Sequence, residues 1–383
     1  MSAIRLVATA AFGLEAVVAR ELDALGYTEH RTEDGRVAFS ADPLAVARTN
    51  LWLRSADRVL VEVGRFPATD FGQLFDGAHA LPWEEWIPED AAFPVRGKAV
   101  RSQLMSVPDA QALVKKAIVE RLKARYRRNW FAETGAPVPI EVGIVRDQVT
   151  LSIDSSGAGL HKRGYREGVG QAPLKETLAA ALVLLSHWNR DRLLADPFCG
   201  SGTIPIEAAL IGRDMAPGAA RRFAAESFPW IDAAQWQRAR EEVRDRARPA
   251  LGERILATDS DRRALGQARK HAARAGVDAD IHIQQAAVGE FRTSREYGCV
   301  ISNPPYGVRL GGDGEVERVY ADMADAFAPL SSWSLYVLTT HPRLEALFDR
   351  KATRRRKLYN GGIECTYYQF AGPRPPLRPC PEG

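Results

Sequence analysis

No stretch of this 383-residue chain approaches the roughly 18 consecutive apolar side chains that a membrane-crossing helix needs, which argues against a transmembrane span. Cysteine is scarce. Cys199, Cys299, Cys365 and Cys380 lie far apart without metal-ligand spacing, so a zinc site or a disulfide frame is not expected, and reduced thiols in a cytoplasm are. The opening segment "MSAIRLVATAAFGLEAVVAR" contains Glu15 and lacks the pattern of a signal peptide. Net charge is also small, at +4, so total charge names no partner and its distribution must be read instead. What is present is ordinary for a globular protein, with 45% apolar and 26% charged residues, in a chain too long for a single core. The reading at this level is a cytoplasmic protein of two or three domains that binds neither membrane nor metal, as a monomer or weak dimer.

Patterning divides the chain. "IRLVAT", "RVAFS" and "RVLVEVGRF" read as strands, separated by helical "GLEAVVARELDALG" and by "DPLAVARTNLWLRSA", whose Asp42 and Pro43 suit a helix start. That order suits a small α+β sandwich over residues 1–65. "FDGAHALPWEEWIPED" reads as irregular. "FPVRGKAV" is an expected strand, and a long helix starts near Pro108 with Leu113, Val114, Ala117, Ile118 and Leu122 on one face. "PIEVGIV" and "QVTLSID" form an expected hairpin about Arg146-Asp147. Gly-rich "SSGAGLHKRGYREGVGQA" reads as a linker. Beyond it strands "RLLAD", "RILATD", "ADIHIQ", "GCVISN" and "WSLYVLTT" alternate with helical segments, which implies a parallel sheet covered on both faces. "RKLYN" and "IECTYYQFAG" close it as an antiparallel edge pair, and the end should be a loose tail.

Three features of that second half belong together. "LLADPFCGSGTIPIEAA" puts Asp196 at a strand end and Gly200-Ser201-Gly202 before a helix, where open α/β sheets bind ligands. Pro205 occupies the place of the third glycine in a dinucleotide fingerprint, which argues against NAD. Asp259 in "ATDSDRRA" is placed to accept hydrogen bonds from a ribose, with Asp261 as the helix cap. In "CVISNPPYGVRL" a buried strand stops at Asn303, Pro304, Pro305 and Tyr306, since consecutive prolines can neither donate to a ladder nor let the preceding residue turn helical.

"DPFCGSGT", "TDSD" and "NPPYG" resemble a class I S-adenosylmethionine-dependent methyltransferase acting on an exocyclic amine. "GKAVRSQLMSVPDAQALVKKAI" is similar to a THUMP RNA-binding domain, and "GLHKRGYR" with "APLKETLAAALV" is similar to the linker and catalytic start of THUMP-containing RNA methyltransferases. The resemblance covers nearly the whole chain and is strongest to the RlmL/YpsC type, implied to make N2-methylguanosine in 23S ribosomal RNA; TrmN-type tRNA enzymes share the same blocks. It implies a Rossmann-like methyltransferase domain, a mostly parallel seven-stranded sheet with an antiparallel edge, preceded by a ferredoxin-like/THUMP α+β region. The division is 1–65 ferredoxin-like, 66–155 THUMP, 156–172 linker, 173–371 methyltransferase and 372–383 tail. S-adenosylmethionine is the implied cofactor, with Asp196, Phe198, Gly200, Ser201, Gly202, Thr203, Asp259, Ser260, Gln285 and Ala286 around it. Such folds usually carry an acid near the adenine amine where this chain has Ala286, so main chain or Gln285 is expected to serve there.

The guanine amine is a poor nucleophile because its lone pair is delocalised. The Asn303 side-chain oxygen and the Pro304 carbonyl can each accept one amine hydrogen, Pro305 stiffens the bend and Tyr306 can stack on the base. Cys199 and Cys299 read as packing residues. Between Arg96 and Arg128 ten Lys or Arg face two acids, Asp109 and Glu120, a plausible phosphate footprint. The expected RNA contacts are Lys98, Arg101, Lys115, Lys116, Lys123, Arg127 and Arg128, joined by Lys162, Arg163 and Arg166 of "HKRGYR". Ribosomal RNA is the expected partner, with tRNA second. An adenine or protein glutamine acceptor, and an RNA-binding assembly factor with secondary methylation, are the other readings.

Overall fold

The computed structural model describes residues 3–166, 174–305 and 313–376. One compact unit gathers residues up to 10, 18–160 and 218–245; the other gathers 11–17, 161–217 and the chain from 246 on.

The first unit is built on one sheet of seven strands: β1 (Ile4–Ala10), β2 (His30–Glu33), β3 (Arg36–Ala41), β4 (Ala56–Pro67), β5 (Val95–Val100), β6 (Ile140–Val145) and β7 (Gln148–Asp154), in the order β2-β3-β1-β4-β7-β6-β5. The seam is β4. It pairs antiparallel with β1 (Leu6↔Val61) and, along its length, with β7 (Leu60↔Asp154 to Pro67↔Gln148). The two domains expected at 1–65 and 66–155 therefore share one continuous sheet. β2 is exposed and polar, "HRTE", and leaves no apolar alternation to read.

Helices α1 (Glu15–Ala24), α2 (Leu44–Trp52), α3 (Phe71–His79) and α4 (Val107–Tyr126) complete the N-terminal half. α3 lies where irregular chain was expected. Asp70 caps it by accepting from Gln73 N at 2.9 Å, and Leu74 and Ala78, one turn apart, bury its inner face. Its Gly77 suggests a loop but serves packing, since a Cβ there would come 2.3 Å from the Phe66 ring. α4 buries Ala110, Val114, Ala117, Ile118 and Leu122, close to the expected stripe. At the β6–β7 turn, Arg146 and Asp147 both have positive φ, the backbone of a two-residue hairpin.

The second unit carries β8 (Leu194–Asp196), β9 (Ile255–Asp259), β10 (Ile281–Gln285), β11 (Cys299–Ser302), β12 (Ser334–Thr339), β13 (Arg354–Asn360) and β14 (Ile363–Phe370), ordered β10-β9-β8-β11-β12-β14-β13. β8 to β12 pair parallel, and β14 and β13 add antiparallel. Every residue of β12 is buried, as a parallel strand covered on both faces requires. Helices α5 (Glu176–Leu184), α6 (Thr203–Gly212), α8 (Arg262–Ala275), α9 (Asp313–Phe327) and α10 (Leu344–Leu347) belong here, whereas α7 (Ala233–Arg246), all but its last residue, belongs to the first unit.

Within the expected methyltransferase segment 173–371, residues 218–245 pack with the N-terminal half. Arg48 of α2 forks onto both carboxylate oxygens of Glu242, at 2.6 and 2.9 Å, and Trp230 meets Trp86 edge to face, 5.0 Å between ring centroids. Gly218 N donates to Leu51 O at 3.0 Å. The first residue of the expected linker 156–172 is anchored. Ser156 is buried and donates to Asn50 Oδ1 at 2.6 Å, while Asn50 Nδ2 donates to Ser155 Oγ at 2.8 Å. Residues 167–172 of that linker, the adjoining Pro173, and 377–383 of the expected tail, with Cys380, lie outside the described residues.

Asn50→Ala would leave the buried Ser156 hydroxyl without an acceptor for its proton and take one donor from Ser155 Oγ, which keeps its bond to Val59 O. The expected cost is about 2–3 kcal/mol of the first unit's stability, read as a lower urea midpoint; an unchanged midpoint would contradict the role given to this contact.

Candidate active site

Because β8, β9 and β11 are parallel neighbours, their C-terminal ends open on the same edge of the sheet. The chain leaves β8 at Asp196 and turns through Gly200-Ser201-Gly202 into α6. Cys199 N donates to Thr258 O at 3.0 Å and Gly200 N to Asp259 Oδ2 at 2.8 Å, so the loop is tied to the end of β9. Both glycines are left-handed, with φ of +53° and +85°. Their surroundings differ. A Cβ at Gly200 would meet nothing within 4 Å, whereas one at Gly202 would lie 3.1 Å from the Ala268 Cβ of α8. Gly200 therefore leaves room for a ligand, and Gly202 lets two helices approach. His271 Nδ1, 3.0 Å from Ser201 O, holds the loop from the α8 side. The N-terminal amides of α6, starting at Thr203, face the same loop and favour negative charge there.

At the β9 end, Asp259 Oδ1 accepts from Asp261 N at 2.9 Å, and Asp261 itself caps α8 by accepting from Arg263 N at 2.8 Å. Each Asp259 oxygen has one such donor, which leaves lone pairs for further hydroxyl donors. At the β10 end, Ala286 N donates to Asp259 O at 3.2 Å and Gln285 Nε2 to Ser260 O at 3.0 Å. The main-chain amide of Ala286 is thereby used, while an adenine amine would need an acceptor, a part that Gln285 Oε1 and main-chain carbonyl oxygen at this strand end can still play.

Ser302, the last residue of β11, donates from Oγ to Asp196 Oδ1 at 2.7 Å, and Phe198 N donates to the same oxygen at 3.2 Å. Burial pushes the Asp196 carboxyl up to about 7, with the Ser302 and Phe198 donors opposing and nearby Asp259 reinforcing the rise. Burial likewise raises Asp259. One residue beyond Ser302, the Asn303 Oδ1 is buried without a hydrogen-bond partner in the described structure. A buried acceptor left unpaired costs about 1–3 kcal/mol, so it marks either strain or an absent donor. Pro304 is buried and Pro305 partly so, while Tyr306 lies outside the described residues. Cys199 and Cys299 are buried; burial raises both thiols, Cys299 to about 12, which keeps them inert as nucleophiles.

The expected RNA-contact residues separate. Arg163 and Arg166 are corrected. Arg163 is 4% exposed and pairs with fully buried Glu207 of α6 (Nε to Oε1, 3.3 Å), to which Tyr165 Oη also donates at 3.0 Å. Arg166 pairs with Glu176 at 3.2 Å. A buried guanidinium needs a buried carboxylate, so these side chains hold "HKRGYR" against α5 and α6 rather than face solvent. Only Lys162 of that trio is exposed. On α4, Lys115 binds Glu133 at 2.6 Å and lies over the Phe93 ring, Lys123 binds Glu120 at 2.9 Å, and Arg128 binds Glu89. Lys98 binds Glu141 at 3.3 Å, while Arg101, Lys116 and Arg127 are exposed. Sequence reasoning missed Ser302 and Glu207, although each is a polar residue inside an apolar run, "CVIS" and "TIPIEAALIG", which is the available signal.

Comparison with known proteins meets this geometry. Residues 163–369 match the family described as "RMKL-like, methyltransferase domain", residues 5–60 the "RlmL ferredoxin-like domain" and residues 68–154 the "THUMP domain". The chain is 49% identical over 372 residues to YpsC of Bacillus subtilis (strain 168), provisionally named an RNA methyltransferase, covering 97% of this chain and 96% of YpsC. It is 36% identical to the ribosomal RNA large subunit methyltransferase K/L of Syntrophotalea carbinolica (strain DSM 2380 / NBRC 103641 / GraBd1), covering 96% of this chain but 53% of that protein. The crystal structure of SMU.472 complexed with SAH superposes with a TM-score of 0.92 at 44% identity, covering 98% of this chain and 99% of the other.

Asp196 offers a pH test. Its folded value, about 7, lies above the unfolded 3.8, so the stability it contributes is full below the unfolded value and is lost as pH rises to about 7. Asp196→Asn removes that slope. The stability gap favouring the variant should grow by roughly 1.4 kcal/mol per pH unit from about pH 5 to about pH 7 and then level off. Urea midpoints at four pH values check this; a gap independent of pH would contradict the buried, protonated carboxyl.

Proposed function

The chain belongs to the RMKL-like methyltransferase family, and from that premise we propose that it transfers the methyl of S-adenosylmethionine to the exocyclic N2 amine of a guanosine in RNA, with large-subunit ribosomal RNA as the first candidate. One observation carries the reading: the buried, unpartnered Asn303 Oδ1 at the strand end whose preceding residue is bonded to Asp196. An orphaned acceptor fits a donor with hydrogens to give, and an exocyclic amine brings two.

The residues at the neighbouring strand ends fit the cofactor. Gly200 leaves open space, Asp259 keeps lone pairs for ribose hydroxyls, and Gln285 Oε1 is free to accept from an adenine amine. When bound, S-adenosylmethionine supplies a methyl already activated by its sulfonium. What the chain must add is orientation and a localised lone pair. Asn303 Oδ1 and the Pro304 carbonyl each accept one amine hydrogen, which draws the nitrogen lone pair out of ring conjugation and stabilises the positive charge that develops on it. Asp196 acts at one remove, as a positioning residue, by holding Ser302 and hence the strand end. Tyr306, on the reading from sequence, stacks on the base, which must leave any helix to reach the pocket.

RNA as the substrate class is supported by the THUMP match, by the name of YpsC and by the name of the K/L enzyme, and guanine by the resemblance of the motifs.

Asn303→Ala is expected to lower methyl transfer by roughly a hundredfold to a thousandfold, the scale of losing one stabilising partner of transition-state charge, with S-adenosylmethionine affinity changed less than about threefold. Nucleoside mass spectrometry of ribosomal and transfer RNA from a deletion strain should show one N2-methylguanosine lost from large-subunit RNA. Loss of N6-methyladenosine instead, or full turnover by the variant, would overturn the proposal.

A further inference from the structure

Resting on the RNA reading above, we propose that the RNA backbone docks on the open face of the first unit's sheet, not on α4. The helices take the other face: α4 packs on β5 and β6, and a Cβ at Gly97 would touch Gln111 and Val107 of α4. On the opposite side β5 turns out Arg96, Lys98 and Val100, all exposed. A groove of about 1050 Å³ runs across this face, lined by residues of all seven strands. At about 4.8 Å per strand the face is roughly 29 Å wide, enough for several consecutive phosphates.

Charge commits the groove to a polyanion. Its lining holds eight Lys or Arg and four Asp or Glu. At one end Glu33 gathers Arg31, Arg36 and Arg65, which holds three guanidiniums in place with a net charge of +2. At the other end Arg96, Arg101 and Arg146 have no side-chain hydrogen bond or ion pair among the described residues, and Lys98 is shared with Glu141. These groups are preorganised. Asp147 accepts from Ser102 Oγ at 2.6 Å and Gln103 N at 2.7 Å, pinning the turn of Arg101 to the hairpin of Arg146. No aromatic side chain lines the groove among the described residues, which favours guanidinium–phosphate contacts over base stacking as the source of affinity. Around α4, four cations, Lys115, Arg121, Lys123 and Arg128, are each paired with an acid of this chain, which leaves Lys116, Arg125 and Arg127 exposed on the helix and its C-terminal turn as the competing site.

The test compares two triple charge reversals in the full chain, Arg96→Glu/Arg101→Glu/Arg146→Glu on the sheet and Lys116→Glu/Arg125→Glu/Arg127→Glu on the helix. Binding to protein-free large-subunit ribosomal RNA is measured by filter retention across a potassium chloride series, with S-adenosylmethionine titrated by calorimetry alongside. The sheet variant should bind at least about tenfold more weakly, with a log–log salt slope smaller by about two to three, at unchanged cofactor affinity. The helix variant should change less than about threefold. The milder Arg→Gln triple on the sheet should fall between and guards against misfolding. The larger loss in the helix variant, or equal binding by all variants, would overturn the docking face while leaving the methyltransferase reading intact. A wild-type protein that binds cofactor but shows no salt-dependent RNA binding would overturn both.

Discussion

The bond from Ser302 Oγ to Asp196 Oδ1 sets where everything else in the second unit's site can be. It crosses from β11 to β8, the two strands whose ends carry Asn303 and the glycine loop. A carboxyl in this position costs desolvation, which is why its proton is held to about pH 7. The cost is tolerable because either protonation state has donors: the Ser302 hydroxyl and the Phe198 amide. With the two strand ends fixed relative to each other, Asn303 needs no partner of its own to be placed, and its oxygen can stay unsatisfied until a substrate amine arrives. An acceptor already satisfied by the protein would have to break a bond before it could help.

Around that fixed point the chain spends polar groups unevenly. In the second unit, buried pairs such as Arg163–Glu207 and Arg166–Glu176 hold segments in place and are removed from solvent. In the first unit, acids pair four of the cations on and just after α4, while on the open sheet face Arg96, Arg101 and Arg146 share one groove with the paired Lys98. Counting Lys and Arg along the chain cannot separate these uses, because the acids that neutralise α4 come from Glu84, Glu89 and Glu133, outside the helix itself. The same limit explains why "HKRGYR" reads as a surface motif. Its partner Glu207 sits about forty residues on, within a helix otherwise apolar.

Much of the architecture was legible because it rests on local rules. Parallel strands announce themselves as short apolar runs between helices, Asp42 and Asp261 mark helix starts, and Arg146-Asp147 marks its hairpin. The Asn-Pro-Pro stretch read correctly as a strand stop for the same reason: proline's effect is local. What was not legible depends on contacts across the sequence. Exposed β2 has no apolar stripe. α3 contains Gly77, which serves packing against Phe66. Residues 218–245 join the first unit through Glu242 and Gly218, whose partners Arg48 and Leu51 lie far away in sequence. The single sheet shared by the two N-terminal halves follows from β4 pairing with both β1 and β7, which no window of sequence contains.

The central claim is that Asn303 Oδ1 grips a substrate amine at the end of β11. A crystal structure of the protein with S-adenosylhomocysteine and an RNA fragment containing the target guanosine tests it most directly. The account requires the guanine N2 within about 2.7–3.2 Å of Asn303 Oδ1, with the Asp196–Ser302 bond intact. A bound target base whose amine is held by other residues, with Asn303 turned to a partner in the protein, would contradict it.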